Sequence, residues 1–208
     1  MEAAFLLNSD PIMNPLPNSP TFRPRKRISA QPKCPFVTRN GRKYHNDDSI
    51  PYPLPCDVKE MSRQALWHEL SRELYGGHCC TDFKREKIPD RVLDLGCGSG
   101  IWCASMADYF AALGRPDVEF TGLDLEPIYM EMRGVNFKFV KHNILTTPLP
   151  FEDNSFDFIF VRDMMMSLSE KNMYTGIIGE VMRLLKPGGR FELQCSRYPL
   201  SASGPYRS

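Results

Sequence analysis

The chain has 208 residues, of which 42% are hydrophobic, so it can bury one sizeable core rather than two. Its formal net charge of only +1 argues against a general polyanion-binding surface, which disfavours nucleic acid as a partner. No apolar segment approaches the length of a membrane-spanning helix, so no membrane partner is predicted.

Residues 1–48 are rich in Pro, Ser, Asn and Arg and lack apolar periodicity, which predicts a disordered basic tail. The cluster Arg23-Pro-Arg-Lys-Arg27 within it is either a nuclear-import signal or a solubilising run of charge. The seven cysteines are odd in number, and the N-terminal apolar run is too short for secretion. A reducing location in the cytoplasm, the nucleus or both is therefore expected. No second ligand pair accompanies His78-Cys-Cys80, so no metal is predicted.

Residues 49–85 are expected to form a helical segment that packs on the core. The motif Asp57-x-x-Glu60 is typical of a helix start, and Gly76-Gly77 is typical of a helix end. Trp67 and His68 within this helix are interpreted as packing or surface residues. The apolar residues recur at helical spacing and are predicted to cover one face of a sheet; they are Val58, Met61, Ala65, Leu66, Leu70 and Leu74.

Residues 92–100 read Val-Leu-Asp-Leu-Gly-Cys-Gly-Ser-Gly, an apolar strand that runs into three alternating glycines and then into a helix from Ile101. The glycines allow a tight turn and let a ligand lie against bare backbone. A carboxylate at Asp94 would repel the pyrophosphate of a dinucleotide. It suits instead a cofactor with a cationic amino-acid portion and no phosphate, which describes S-adenosylmethionine.

The second anchor is Asp124, near the end of a run of apolar and β-favouring residues at 118–125. One helix separates this run from the first strand, so the carboxylate is expected at the carboxyl end of a neighbouring strand, where ligands of open α/β sheets bind. An ionised carboxylate can accept hydrogen bonds from two ribose hydroxyls. Asp124 is therefore the candidate ribose contact, and a solvated acid at a strand end is the alternative.

Residues 86–196 alternate strands and helices, which predicts an α/β fold with a parallel sheet and helices on both faces. Five strands are identified, near residues 91–95, 118–123, 136–141, 156–161 and 190–195. Helices are predicted near 101–113 and 169–185. The second helix is expected to begin at Ser167-x-x-Glu170 and to bury Met173, Ile177, Ile178, Val181, Leu184 and Leu185.

These motifs resemble those of class I S-adenosylmethionine-dependent methyltransferases. Leu149–Asp157 and the strand after it are similar to the family's fourth-strand motif, and Leu185–Gly189 is similar to its turn into the fifth strand. The motifs follow one another in the family's order over roughly residues 90–195. Asn40–His45 and Tyr52–Asp57 further resemble the fungal LaeA-type methyltransferases, which are nuclear regulators of secondary metabolism.

The resemblance implies a Rossmann-like sheet, of whose usual seven strands the last two would be missing. Residues 197–208 are predicted to form a disordered tail, which would leave the strand at Phe191–Leu193 as an edge open to a partner. The resemblance also implies S-adenosylmethionine as the cofactor and assigns the adenine contact to Asn143. The predicted cofactor-binding residues are Asp94, Leu95, Gly96, Cys97, Gly98, Gly100, Asp124, Leu125, Asn143, Ile144 and Arg162.

The predicted activity is in-line transfer of a methyl group to a protein side chain or a small metabolite. The sequence has no Asn/Asp-Pro-Pro-Tyr/Phe motif, which disfavours methylation of DNA bases. The candidate catalytic residues are His142, Arg162 and Asp163, each with an alternative as a loop residue or a member of a local ion pair. The alternative function is a non-catalytic or truncated regulator that binds a partner through the open sheet edge or the N-terminal tail.

Overall fold

The computed structural model describes residues 34–47, 52–126, 132, 134–164 and 176–195. The strands are β1 (Phe36–Arg39), β2 (Arg42–His45), β3 (Arg91–Leu95), β4 (Glu119–Asp124), β5 (Phe137–Lys141), β6 (Phe156–Arg162) and β7 (Leu185–Gln194). The helices are α1 (Val58–Tyr75), α2 (Ile101–Ala112) and α3 (Ile178–Leu184). From β3 onward, helices follow β3 and β6 as the sequence predicted, and no described helix separates β4, β5 and β6.

Strands β3 to β7 form one parallel sheet in the order β5-β4-β3-β6-β7. The chain adds β4 and β5 on one side of β3 and then β6 and β7 on the other, so the order reverses between β3 and β6. Open α/β sheets bind ligands outside the carboxyl ends of the strands at such a reversal. Asp94 lies at this place, because its register partners are Gly122 in β4 and Phe160 in β6. The predicted parallel α/β sheet is confirmed.

Alternating side chains of the central strands build a hydrophobic core on each face of the sheet. On one face, Leu93 and Ile159 are fully buried with Val181 of α3. On the other face, the neighbouring residues Val92 and Phe158 pack in one cluster with Trp102, Cys103, Met106 and Phe110 of α2. Both faces carry a helix, as the alternating pattern predicted.

Helix α1 has the predicted ends but not the predicted orientation. The backbone N–H of Glu60 donates to the side chain of Asp57 over 3.0 Å, and Gly76 ends the helix with a φ of +72°. The prediction of a buried apolar face is wrong, because Val58, Leu66 and Leu74 are more than 70% exposed. The buried residues of α1 are Glu60, His68 and Ser71. The physical reason is that α1 packs on the loops at the carboxyl ends of the strands, whose groups are polar.

A β-hairpin precedes α1. Strands β1 and β2 pair antiparallel through Asn40 and Gly41, whose φ values of +50° and +71° suit the two-residue turn that favours Asn-Gly. The Arg42 guanidinium binds the Asp57 carboxylate through two bonds of 2.7 and 2.9 Å, which ties the hairpin to the start of α1. The prediction of disorder for residues 1–48 is therefore wrong over β1 and β2. Residues 1–33 lie outside the described residues.

The last described strand, β7, lies at one edge of the sheet. Its register with β6 jumps from Leu185 to Arg190, so the predicted turn at 185–189 is an irregularity within the strand. The partner expected at this edge stays a prediction.

Residues 165–175 and 196–208 lie outside the described residues. Most of the first half of the predicted 169–185 helix and the predicted C-terminal tail fall in these two ranges. Within the described part of the chain, no helix has the length and apolarity needed to cross a bilayer.

Candidate functional site

A cavity of about 150 Å³ lies at the carboxyl ends of β3, β4 and β6. Asp94, Asp124 and Arg162 line it from these strands, and Gln64 and Trp67 line it from α1. The other lining residues are His45, Tyr52, Leu54, Cys56, Arg63, Gly96, Cys97, Gly98, Ser99, Ile101, Trp102, Leu123, Leu125, Glu126, His142, Asn143, Ile144, Leu145, Phe160, Asp163 and Met164. The fold thus brings most of the predicted site residues to one place.

The glycine loop after β3 has the backbone that its sequence predicts. Gly96 and Gly98 have φ values of +77° and +54°, a region that residues with a Cβ rarely adopt. A Cβ on Gly98 would lie 2.7 Å from Oε1 of Gln64, so α1 approaches the bare backbone closely here. The same Oε1 accepts a hydrogen bond of 2.8 Å from the backbone N–H of Ser99. Helix α1 therefore closes one side of the loop.

Asp94 is a buried carboxyl group in the cavity wall. It is 4% exposed, and burial raises its pKa to about 7, although the nearby charge of Arg162 opposes this rise. The Cys103 thiol, itself buried, donates to its Oδ2 over 3.4 Å. Removing a carboxylate from water is unfavourable unless a cation compensates it. A positively charged ligand group beside Asp94 would supply that compensation.

Asp124 accepts hydrogen bonds from the backbone of Gly98, Leu125 and Glu126. Its Oδ2 accepts from the N–H of Gly98 over 2.7 Å, and its Oδ1 accepts from the N–H of Leu125 over 2.6 Å. Burial raises the pKa of this carboxyl group, and these backbone donors partly oppose the rise. Two carboxylate oxygens offer about four acceptor positions. Asp124 can therefore brace the glycine loop and still accept from ligand hydroxyls.

The loop after β5 holds His142 and Asn143 in a turn. Asn143 Oδ1 accepts from the backbone N–H of Leu145 over 3.0 Å. His142 Nε2 lies 2.8 Å from the carbonyl oxygen of Thr146, and it must donate there because a carbonyl only accepts. This bond places the proton of the neutral ring on Nε2 and leaves the lone pair on Nδ1, so His142 stays a candidate catalytic base. The role of Asn143 in adenine recognition stays a prediction.

The end of β6 supplies Arg162, Asp163 and Met164 to the cavity. Arg162 Nη2 lies 3.1 Å from Nδ1 of His68, and Asp163 Oδ2 accepts from the Trp67 indole over 2.6 Å. Asp163 has a φ of +55°, which is uncommon outside glycine and recurs at functional sites. All three residues line the cavity and can therefore contact a ligand bound in it.

The contributions of α1 and the hairpin to the site were not predicted from the sequence. Gln64, Trp67, His45 and Tyr52 all line the cavity, and Asn40-Gly41 was the sequence signal for the ordered hairpin. Two predicted contacts lie elsewhere: Leu95 belongs to the hydrophobic core, and Gly100 is the N-cap of α2. Among the described residues, no group of three or more His, Cys, Asp or Glu side chains is arranged to hold a metal ion.

Residues 92–189 match the family described as "Methyltransferase domain". Over this range the chain is similar to a methyltransferase domain. The matched range contains the glycine loop, Asp124 and the whole of β6, whereas α1 and the hairpin, which also line the cavity, lie before this range. The predicted resemblance to S-adenosylmethionine-dependent methyltransferases is confirmed.

Three fungal proteins are similar to this chain over more of its length than residues 92–189. The chain is 32% identical to the secondary metabolism regulator laeA of Aspergillus niger, over 76% of this chain and 40% of that protein. It is 28% identical to the protein-methionine methyltransferase laeA of Emericella nidulans, over 84% of this chain and 44% of that protein. It is 29% identical to the methyltransferase pytC of Aspergillus terreus, over 76% of this chain and 46% of that protein. The chain thus spans less than half the length of these relatives, and the predicted LaeA-type resemblance is confirmed.

Proposed function

We propose that this protein is an S-adenosylmethionine-dependent methyltransferase whose acceptor is a protein side chain. One observation carries the proposal: the carboxyl ends of β3 and β4 bring two carboxyl groups, the buried Asp94 and the half-buried Asp124, to the same cavity. Asp94 suits the ammonium group of the cofactor's amino-acid end, and Asp124 suits the hydroxyls of its ribose. The backbone of Gly96 and Gly98 lies between the two acids in sequence and lines the cavity as well.

The residues present fit this cofactor better than they fit a dinucleotide. A pyrophosphate would carry negative charge into a wall that already holds Asp94 and Asp124, and it would be repelled. The amino-acid end of S-adenosylmethionine carries both charges, and the wall offers Asp94 together with the guanidinium of Arg162. When bound, the cofactor supplies an electrophilic methyl group together with its own leaving group.

The protein's contribution would then be positioning rather than proton transfer. His142 donates through Nε2 to Thr146 and so keeps a lone pair on Nδ1, but an acceptor that has no proton to lose would not need this base. A methionine thioether is an acceptor that has no proton to lose, and the Emericella nidulans relative is named a protein-methionine methyltransferase. We therefore propose a thioether as the first acceptor to test, with a small metabolite as the alternative acceptor.

The names of the relatives also support a proposal for the cellular role. The Aspergillus niger relative is named a secondary metabolism regulator, and we propose a regulatory methylation of this kind for the present protein. A nuclear or cytoplasmic location belongs to the proposal. The non-catalytic alternative is not favoured, because the relatives from Emericella nidulans and Aspergillus terreus are both named methyltransferases.

Calorimetric titration of S-adenosylmethionine into the purified chain tests the proposal. We expect saturable binding that is lost in Asp94→Ala, whereas Asp90→Ala, which changes an exposed acid before β3, should leave binding intact. Transfer of a deuterated methyl group to methionine-containing peptides, followed by mass spectrometry, then tests the acceptor. A folded chain that binds no cofactor would overturn the proposed function.

A further inference from the structure

His68 is a buried polar side chain behind the cavity. It lies on the inner face of α1 and is fully buried, which agrees with the packing alternative predicted from the sequence and not with the surface alternative. Its Nδ1 lies 3.1 Å from Nη2 of Arg162, which is 94 residues further along the chain. Its ring also stacks against the ring of His78, with centroids 5.9 Å apart. A polar side chain that is fully buried usually has a structural or functional role.

The direction of the bond to Arg162 follows from chemistry. A guanidinium has five N–H donors and no acceptor, so Nδ1 of His68 must accept and therefore carries no proton. Burial lowers the pKa of His68 to about 4, and the charges of Arg162 and His78 lower it in the same direction. The imidazole is thus neutral at physiological pH and can receive the guanidinium without repulsion.

Two further contacts define the position of the Arg162 guanidinium. Its central carbon lies 5.9 Å from the ring centre of Phe160, and that ring stacks on Trp102 with centroids 3.9 Å apart. Arg162 lines the cavity together with Asp94, whose pKa its charge lowers. The bond to His68 uses one of the five donors, and so donors remain for a ligand.

We propose that His68 is a positioning residue, which holds the guanidinium of Arg162 where it can bind the carboxylate at the amino-acid end of the cofactor. The inference rests on the proposed function and adds to that subsite a residue that does not itself line the cavity. A planar guanidinium held at one edge by His68 can present a pair of parallel N–H donors to a carboxylate. Without His68, the long side chain of Arg162 would have to be ordered by the ligand itself.

Decarboxylated S-adenosylmethionine provides the matched probe, because it keeps the adenosine, the sulfonium and the ammonium but lacks the carboxylate. Calorimetry with both ligands gives an affinity ratio that reports the carboxylate contact alone. We expect the wild-type chain to prefer the carboxylated ligand by about tenfold or more, the scale for a hydrogen bond to a charged group. In His68→Leu this preference should fall to within about threefold, while the affinity for the decarboxylated ligand stays unchanged.

His68→Asn is the rescue variant, because an amide oxygen can accept from Arg162 near the place of Nδ1. It should keep most of the preference, which loss of packing alone would not explain. Arg162→Gln should remove the preference as His68→Leu does, and it decides the carboxylate contact if His68→Leu does not fold. Thermal unfolding of each variant monitors the fold.

The outcomes separate the two proposals. If neither ligand binds the folded wild-type chain, the proposed function fails and the subsite fails with it. If both ligands bind the wild-type chain equally, or if His68→Leu keeps the full preference, the subsite is overturned while the proposed function stands. A preference lost in His68→Leu and Arg162→Gln and kept in His68→Asn supports it.

Discussion

The indole Nε1 of Trp67 donates a hydrogen bond of 2.6 Å to Oδ2 of Asp163. The two residues are 96 positions apart, and their bond joins α1 to the residue that follows β6. Asp163 has a φ of +55°, a conformation that the surrounding structure must maintain. Both residues line the cavity, so this bond fixes the relative position of two of its walls.

Trp67→Phe should weaken the attachment of α1 to the sheet, because it removes the donor and keeps most of the aromatic ring. We expect the free energy of unfolding to fall by about 1.5–3 kcal/mol, the scale for a hydrogen bond to a charged group. Urea denaturation followed by circular dichroism measures this change. Asp163→Ala should have a similar effect.

A double-mutant cycle provides the control for this pair. If the two residues act through their mutual bond, the double variant Trp67→Phe/Asp163→Ala should be little worse than either single variant. Asp163→Asn should lose less stability, because asparagine tolerates the left-handed conformation and its amide oxygen can still accept. Fully additive single effects would show that the bond itself contributes little.

The buried carboxyl group of Asp94 predicts a pH dependence of cofactor binding. The pKa of Asp94 is raised to about 7 in the folded chain, so the group is increasingly protonated as pH falls below that value. Only the ionised form attracts the cofactor's ammonium group, so affinity should fall up to tenfold per pH unit below about pH 7. Affinity should rise as pH increases through 7, until the ammonium group itself loses its proton.

Calorimetry between pH 5.5 and pH 9 measures this profile. In Asp94→Asn, which keeps the shape and removes the titrating group, the decline on the acid side should disappear and affinity should be low throughout. A variant that shows the same acid decline as the wild-type chain would assign the titration to another group.

The sheet could be predicted because its signals are local and strong. Leu93 and Leu95 lie in an apolar run that ends in glycines, and such a run has few alternatives to a buried strand. The orientation of α1 could not be predicted in the same way. Its apolar residues recur at helical spacing, yet Leu66 is exposed and His68 is buried. Periodicity shows which residues share a face, and it does not show which face meets the protein.

The candidate site was predicted in part for a related reason. Asp94 and Asp124 follow from the strand-end rule for ligands of parallel sheets, and each lines the cavity. Gln64 and Trp67 reach the same cavity only because α1 folds over the strand ends, a contact between distant parts of the chain. No local pattern in the sequence encodes that contact. Leu95 was predicted as a contact because it lies beside the glycines, but the strand directs it to the core.

Gly96→Ala should reduce both stability and cofactor binding. Its φ of +77° disfavours alanine by about 1–2 kcal/mol. The added Cβ would also overlap with Sδ of Met164, a flexible side chain that can move aside. Gly114→Ala is the matched control, because Gly114 has a φ of +84° and nothing lies within 4 Å of its added Cβ.

Comparison of the two glycine variants isolates the contact with Met164. Urea denaturation should show a larger loss for Gly96→Ala than for Gly114→Ala, and only Gly96→Ala should weaken cofactor binding. The double variant Gly96→Ala/Met164→Ala, compared with Met164→Ala alone, should bring the loss close to the Gly114→Ala value. Equal losses in the two single variants would mean that Met164 yields at no measurable cost.

Asp124→Ala should affect two properties at once, because the carboxylate accepts from Gly98 and Leu125 and is also the candidate ribose contact. We expect cofactor binding to weaken by about 1.5–3 kcal/mol, as for loss of hydrogen bonds to a charged group. Stability should fall as well, because the N–H of Gly98 loses its acceptor in a partly buried place. Calorimetry and urea denaturation measure the two effects separately. A stability loss with an unchanged dissociation constant would assign Asp124 to the glycine loop alone and leave the ribose without its predicted partner.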